Sequence, residues 1–160
     1  MARRIKALSA IGIILILSLV APIPVHAADL TVTAANVAKS TGARTATGEA
    51  GATITAGQAL YIASDGQLEL ADADVLASAA AVGIALHGAS TGQPITYQTG
   101  GRITIGATTT VGQVYVVSTT AGGIAPYADL GTGDFPTILG MAPTTATIDI
   151  DIDALGVAKP

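Results

Sequence analysis

Short runs that alternate apolar and polar residues dominate the chain from Leu30 onward. Their period is two residues, as in β-strands, and no segment has the 3.6-residue spacing of a long amphipathic helix. Ser64-Asp65-Gly66 and Gly100-Gly101 predict tight turns. Only 72–81, which is rich in Ala, favours a short helix. The strand signals lie at 59–63, 67–70, 82–86, 94–98, 102–105, 113–117, 137–142 and 147–152.

The pattern occurs twice. The Gly-Gln pairs at Gly57 and Gly112 are 55 residues apart, while Tyr61 and Tyr115 are 54 apart, which implies a one-residue deletion. The segment 82–85 also has a counterpart at 139–142. We interpret 52–101 and 105–157 as two copies of one β-unit, since a unit this small cannot bury its apolar face alone. Residues 28–51 have no counterpart and predict an extended lead-in strand. The expected fold is therefore all-β: a small barrel-like or sandwich-like domain over 52–160, preceded by this lead-in.

Residues 1–27 have the layout of a secretory signal peptide. A basic start is followed by an apolar run at 11–20, two prolines, and small residues before Ala28. The run is too short to span a membrane, which takes about 20 residues. We expect cleavage after Ala27. An uncleaved anchor, an apolar arm that docks on a partner and a misassigned start codon are the alternatives, and we expect membrane contact only through an uncleaved segment.

Composition removes several classes of function. The chain of 160 residues has no Cys and no Trp, and only 11% of it is charged, against about 25% in a typical domain. The missing Cys excludes disulfides, thiol chemistry and cysteine metal sites. Without residues 1–27, four basic residues remain against eleven acidic ones, a net charge of −7. Nucleic acid is therefore not an expected partner, because neutralising phosphates takes clustered Lys and Arg.

Catalytic signals are weak. Gly88-Ala89-Ser90-Thr91-Gly92 matches the nucleophile-elbow pattern, which works only where a strand turns sharply into a helix. Here the pattern lies between two strand signals. His87 is too close in sequence to Ser90 to act as its base, so Ser90 is expected in a turn and His87 at a turn edge or an interface. With no phosphate-binding loop and no His cluster, we expect no catalytic residue, cofactor, resident metal or small-molecule substrate.

An acidic alternation ends the last strand signal. Asp149, Asp151 and Asp153 alternate with isoleucines, which predicts a solvated acidic face with its carboxylates about 6.5–7 Å apart. One Ca²⁺ holds oxygens at about 2.3–2.6 Å, so a straight strand cannot supply three ligands to it. A cation shared with a neighbouring subunit remains open.

Several segments resemble the capsid decoration (cement) proteins of tailed phages. They are GQALYIASDGQLELADAD, AVGIAL, GQPITYQTGG and VGQVYVVSTTAGGIAP, together with the lead-in at 29–37. The resemblance covers about 30–160. It implies a small β-barrel-like protein, often trimeric, that binds the outside of an assembled shell of major capsid protein and reinforces it. Residues 1–27 depart from the family pattern.

The expected function is therefore structural: the chain is expected to act by burying its surface against further copies and against a protein shell. The expected partners are further copies of the chain, with a trimer favoured by the resemblance, and a major capsid protein lattice on the outer surface of a virion. Lys is nearly absent from the strands, so their edges are expected to be unguarded and available for association. The alternative is an exported, self-associating surface or fibre protein. The candidate interface residues are Leu30, Val32, Tyr61, Tyr97, Tyr115 and Tyr127, since Tyr is enriched at interfaces; half-buried core positions are the alternative for each Tyr.

Overall fold

The computed structural model describes residues 28–160, and the predicted signal peptide at 1–27 lies outside the described residues. The described part is all-β, which confirms the predicted class. The only α-helix there is the single turn α1 (Leu76–Ala79), and short 3-10 turns lie at Ala34–Asn36 and Tyr127–Asp129. The strands are β1 (Val37–Lys39), β2 (Arg44–Glu49), β3 (Ala59–Ile62), β4 (Leu68–Leu70), β5 (Ala81–Ala85), β6 (Pro94–Ile105), β7 (Val114–Val117), β8 (Ile124–Pro126), β9 (Thr137–Met141) and β10 (Thr147–Ala154).

The strands form one curled antiparallel sheet that resembles half a barrel. Its order is β4-β3-β5-β6-β10-β9-β7-β8, and β1 and β2 both pair with β6. Read from the outer strand inward, the two halves have equivalent orders, β4-β3-β5-β6 and β8-β7-β9-β10. In the first half β3 pairs with β4 and β5, and β5 pairs with β6. In the second half β7 pairs with β8 and β9, and β9 pairs with β10. This topology confirms two similar β-units, which meet where β6 pairs with β10.

The register of the two halves corrects the predicted alignment by one residue. Leu60 lies opposite Gly83 and Tyr115 lies opposite Gly140, and the ladder becomes irregular directly after Leu60 and directly after Tyr115. Leu60 therefore corresponds to Tyr115, and the separation stays at 55 residues along these strands. Tyr61 was expected to match Tyr115, but hydrogen-bond register and burial decide the match, and both Leu60 and Tyr115 are buried. The change in spacing falls in the following hairpin loop, which is one residue longer in the second half.

The lead-in joins the two halves along β6. Leu30 N–H donates to the Ile124 carbonyl and Thr33 N–H donates to the Gly106 carbonyl, both at 2.8 Å. Beyond these two bonds, β1 lies against the end of β6 and β2 against its start. The lead-in predicted as one extended strand over 28–51 is therefore interrupted, with regular strands only at 37–39 and 44–49. Isolated hydrogen bonds, rather than a continuous ladder, hold residues 28–33.

The predicted turn at Gly100-Gly101 is also wrong, because β6 runs through it as one strand of 12 residues. Gly101 has a φ of +81°, which an L side chain rarely adopts. The Arg44 side chain lies over Gly100, where a Cβ would collide with it. These glycines bend the strand, and the neighbours of β6 change at the bend: β2 and β5 pair before it, and β1 and β10 after it.

The expected helix at 72–81 shrinks to one turn. Asp72 accepts the Asp74 N–H at 2.9 Å through its side chain, which forms a local turn instead of a helical start. Ala73 N–H donates to the Ser118 carbonyl at 2.9 Å. At the other end Ala81 already belongs to β5. Long-range pairing at both ends therefore overrides the helical preference of alanine.

Two clusters of buried side chains fill the domain. The larger draws on both halves and contains Ile84, Ile103, Val116 and Ile148. The smaller lies in the first half around Leu60, Leu68, Ile95 and Tyr97. Most members are Ala, Val, Ile and Leu, as the composition predicted. The lead-in contributes to both clusters, so it is an integral part of the fold.

Candidate interaction surfaces

Four of the six predicted interface residues pack inside their own chain. Leu30 and Val32 are half-buried against the larger cluster. Tyr97 is 8% exposed and Tyr115 only 2%. The Tyr115 hydroxyl accepts the Thr110 N–H at 3.0 Å. These side chains therefore stabilise the single subunit, as in the core alternative for tyrosine.

Tyr61 and Tyr127 remain at the surface with defined partners. The Tyr61 hydroxyl donates to Glu69 Oε2 at 2.9 Å. This hydrogen bond, then partial burial and the nearby carboxylates, raise the pKa of Tyr61 above its usual value. Tyr127 is 38% exposed, and the Lys159 ammonium lies 4.9 Å from its ring centroid. Lys159 also donates to the Leu130 carbonyl. Both rings are thus oriented by neighbours and available to a partner on one side.

Ser90 and His87 do not form a catalytic pair. His87 Nε2 accepts the Thr96 N–H at 3.0 Å, which leaves Nδ1 to donate to the Gly88 carbonyl at 2.9 Å. Both ring nitrogens are therefore engaged by the backbone. Ser90 N–H donates to the Gln93 side chain at 2.8 Å, directly before a turn. Each residue has a local structural role.

Asp149 differs from the other two carboxylates of β10 because it is paired with a cation. It forms the only ion pair within residues 28–160, a two-pronged contact in which Arg102 Nε and Nη2 donate to its oxygens at 2.7 and 2.9 Å. This contact holds the pKa of Asp149 below its usual range. Asp151 and Asp153 stay exposed beside an irregularity of the β9–β10 ladder. No group of three or more metal-ligating side chains is suitably placed within the described residues.

A broad acidic cleft lies between the lead-in, α1 and the 3-10 turn after β8, and the sequence pattern did not reveal it. Asp29, Asp74, Asp129 and Asp134 line it. Desolvation, followed by the charges of neighbouring aspartates, raises the pKa of Asp74. Asp29 accepts the Ser118 hydroxyl at 2.6 Å. The aspartates make this cleft unfavourable for phosphates and other anions.

Groups of large apolar side chains are exposed in two places that the sequence pattern did not reveal, in addition to the single side chains of Ile62 and Tyr127. The first, here called the tail patch, comprises Val75, Leu76, Leu155 and Val157, of which Val157 is 66% exposed. A groove beside Leu76 contains Phe135 and Ala154. The second comprises Val111, in the loop before β7, and Met141, at the end of β9. Contiguous exposed apolar patches of this kind are common at docking sites.

The edges of the outer strands β4 and β8 are less accessible to an added strand than the scarcity of lysine predicted. Gly51 N–H donates to the Leu68 carbonyl on β4 at 2.8 Å, and Leu30 N–H donates to β8 through the Ile124 carbonyl. The lead-in thus guards both edges in place of lysine. Self-association by adding a strand at β4 or β8 is therefore less favoured. The exposed apolar side chains are the stronger candidates for an interface.

Within residues 28–160 no helix is long and apolar enough to cross a membrane.

Comparisons with protein-family models, with curated proteins and with solved structures found no match to this chain.

Proposed function

We propose that this chain is a non-enzymatic structural protein that binds and reinforces a protein shell, as the phage decoration proteins it resembles do. The observation that carries the proposal is the tail patch. Four large apolar side chains are exposed there, two at the start of α1 and two in the C-terminal segment, and one groove joins Leu76 to Ala154 and Gly156. Burying them against a lattice would release about 25 cal/mol for each Å² of apolar surface. Repetition over many identical sites multiplies that gain by avidity.

The polar chemistry of the chain supports the same proposal. Both ring nitrogens of His87 are engaged by the backbone, and Asp149 is neutralised by Arg102. No side chain so engaged is free to act as a nucleophile or base. The proposed partners are further copies of the chain, with a trimer favoured by the resemblance, and a major capsid protein lattice at the outer face of a virion.

Binding to empty shells tests this proposal. The shells are assembled from the major capsid protein encoded in the same genome, and the full-length protein is added before sedimentation. We expect saturable co-sedimentation and a higher temperature of shell disruption. Leu76→Asp should abolish both, while Ile62→Asp, at a similarly exposed site of β3, should change neither. Shells that neither bind nor gain stability would overturn the proposal.

The signal-like segment at 1–27 favours a second candidate, an exported surface or fibre protein that self-associates. The N-terminal residue of the protein from its native source separates the two. Fibres or cell envelopes containing a chain that begins at Ala28 support export. Virions containing the intact N-terminus support a shell protein whose first residues form a docking arm.

A further inference from the structure

The two Gly-Gln turns have the same backbone construction. Gly57 N–H donates to the Ala85 carbonyl, and Gly112 N–H donates to the Ala142 carbonyl, both at 2.8 Å. Both glycines have positive φ, +89° and +79°. The turns are therefore equivalent sites in the two halves.

Their surroundings differ. A Cβ placed on Gly57 would meet the side chains of Val32 and Val37, whereas one placed on Gly112 would meet nothing within 4 Å. The lead-in thus covers the first turn with valine side chains. It has no equivalent over the second turn within the described residues.

The side chains beside the two turns also differ in solvent exposure. Ala56 and Ile84 in the first half are 8% and 0% exposed. Their counterparts Val111 and Met141 are 60% and 51% exposed. The second turn, together with Val111 and Met141, is therefore an uncovered apolar surface, here called the second-turn surface.

A complementary groove lies beside β1 on the same chain. Val37, Ala38 and Leu86 supply its apolar lining, and Lys39 and His87 lie at its side. Val37 already uses part of its surface to cover the Gly57 turn. Ala38 and Lys39 are exposed. The strand that covers the first turn therefore presents further surface to solvent.

Charge complements shape at the two sites. Met141 lies opposite Asp149 in the ladder, and Asp151 follows two residues later, exposed. Lys39 has no acidic partner within residues 28–160, since Arg102 and Asp149 form the one ion pair there. Because Arg102 neutralises Asp149, the exposed carboxylate of Asp151 is the free charge beside the apolar projection, and it complements the Lys39 ammonium beside the apolar groove.

We propose that the second-turn surface of one copy docks into the β1 groove of a second copy. Met141 and Val111 enter the groove, Asp151 faces Lys39, and one β1 strand then contacts the Gly57 turn of its own chain and the Gly112 turn of its partner. Different surfaces meet, so the contact is head-to-tail and closes into a ring or continues as a chain of subunits. The inference rests on the self-association in the proposed function, not on shell binding.

Engineered cysteines test the contact, because the natural chain has none. Full-length Ala38→Cys and Met141→Cys variants are oxidised separately and then as a mixture. We expect disulfide-linked dimers in the mixture only. Dimers from Met141→Cys alone would show that like surfaces meet, which overturns the head-to-tail contact.

Substitutions without cross-linking provide an independent measurement. Met141→Asp should raise the dissociation constant at least tenfold, whereas Ile62→Asp, with the same 51% exposure, should leave it unchanged. Asp151→Lys should weaken association several-fold, and adding Lys39→Asp should restore it. Circular dichroism and the unfolding midpoint verify that each variant folds.

The outcomes separate the two proposals. An oligomer that forms without cross-linking between positions 38 and 141 overturns this contact alone. A monomer at high micromolar concentration overturns both the contact and the self-association. Shell binding is measured independently and is unaffected by either result.

Discussion

Individual polar side chains in this protein serve the turn or strand on which they lie. His87 fixes the start of a strand through Thr96, and Tyr115 caps the loop at Thr110. Asp72 satisfies the backbone of Asp74 and so prevents a longer helix. At the residue scale, local hydrogen bonding accounts for groups that a motif search would assign to catalysis.

Ser90→Ala tests that conclusion directly. The hydrogen bond that Ser90 makes to Gln93 uses its backbone N–H, so we predict that its hydroxyl contributes neither to stability nor to catalysis. We expect the free energy of unfolding to change by less than about 0.5 kcal/mol, as at most exposed sites. Urea unfolding and a screen of small ester substrates measure the two effects. An esterase activity that disappears with this substitution would contradict the non-enzymatic assignment.

Asp149→Asn should destabilise the protein in a pH-dependent way. Arg102 lowers the pKa of Asp149 in the folded state, so the stabilising contribution of the pair is fully present above the unfolded pKa, about 3.9. It is lost as pH falls through the lower folded value. The difference in urea midpoint between variant and parent should therefore be largest near neutral pH and vanish in acid.

High salt should also reduce that difference, because the pair is exposed and screened. Asp153→Asn is the matched control, since Asp153 is exposed on the same strand and outside the one ion pair. A difference that persists in strong acid would contradict the ion-pair explanation.

The exposure and shape of the turns and strands in this fold depend on the segments packed over them as much as on their own sequence. The two Gly-Gln turns share hydrogen bonds and positive φ, yet only the first lies beneath the lead-in. The glycines of β6 bend a strand and form no hairpin, because neighbours pair with it on both sides of the bend.

Gly57→Ala and Gly112→Ala form a matched pair. Each places an L side chain at positive φ, which costs about 1–2 kcal/mol. At Gly57 the new methyl group also meets Val32 and Val37, and overpacking adds about 1–3 kcal/mol. We expect Gly57→Ala to lower the free energy of unfolding more than Gly112→Ala does. Val32→Ala in the Gly57→Ala background should recover part of the difference; equal losses at both glycines would contradict the unequal covering.

At the scale of the whole molecule, charge opposes association and apolar surface favours it. Residues 28–160 carry a net charge of −7, so two copies repel at low ionic strength. Salt screens this repulsion and also the Lys39–Asp151 pair of the proposed contact. An exposed pair contributes no more than about 1 kcal/mol, so the relief of repulsion should dominate.

We therefore expect self-association to hold or strengthen as ionic strength rises. Analytical ultracentrifugation of the purified full-length protein across salt and concentration measures it. An unfolding midpoint that rises with protein concentration is the second expected result. Dissociation by moderate salt would show that ion pairs rather than apolar surface hold the copies together.

The sequence by itself determined the all-β class, most strand positions and the internal repeat. These are properties of short-range alternation and turn residues, which depend on few neighbours. It also predicted that the straight strand carrying Asp149, Asp151 and Asp153 cannot supply three ligands to one Ca²⁺, since two-residue periodicity sets the spacing of side chains along a strand.

Tertiary structure decided the rest. A one-residue shift moved the counterpart of Tyr115 from Tyr61 to Leu60, because ladder register rather than residue identity sets equivalence. Whether each tyrosine is buried or exposed depended on which faces of the sheet other segments cover. Val111 and Met141 look like their buried counterparts Ala56 and Ile84 in the sequence pattern. The lead-in is held by hydrogen bonds to residues 73 and 94 positions away (Thr33 to Gly106 and Leu30 to Ile124). Only its path leaves Val111 and Met141 exposed while Ala56 and Ile84 are buried.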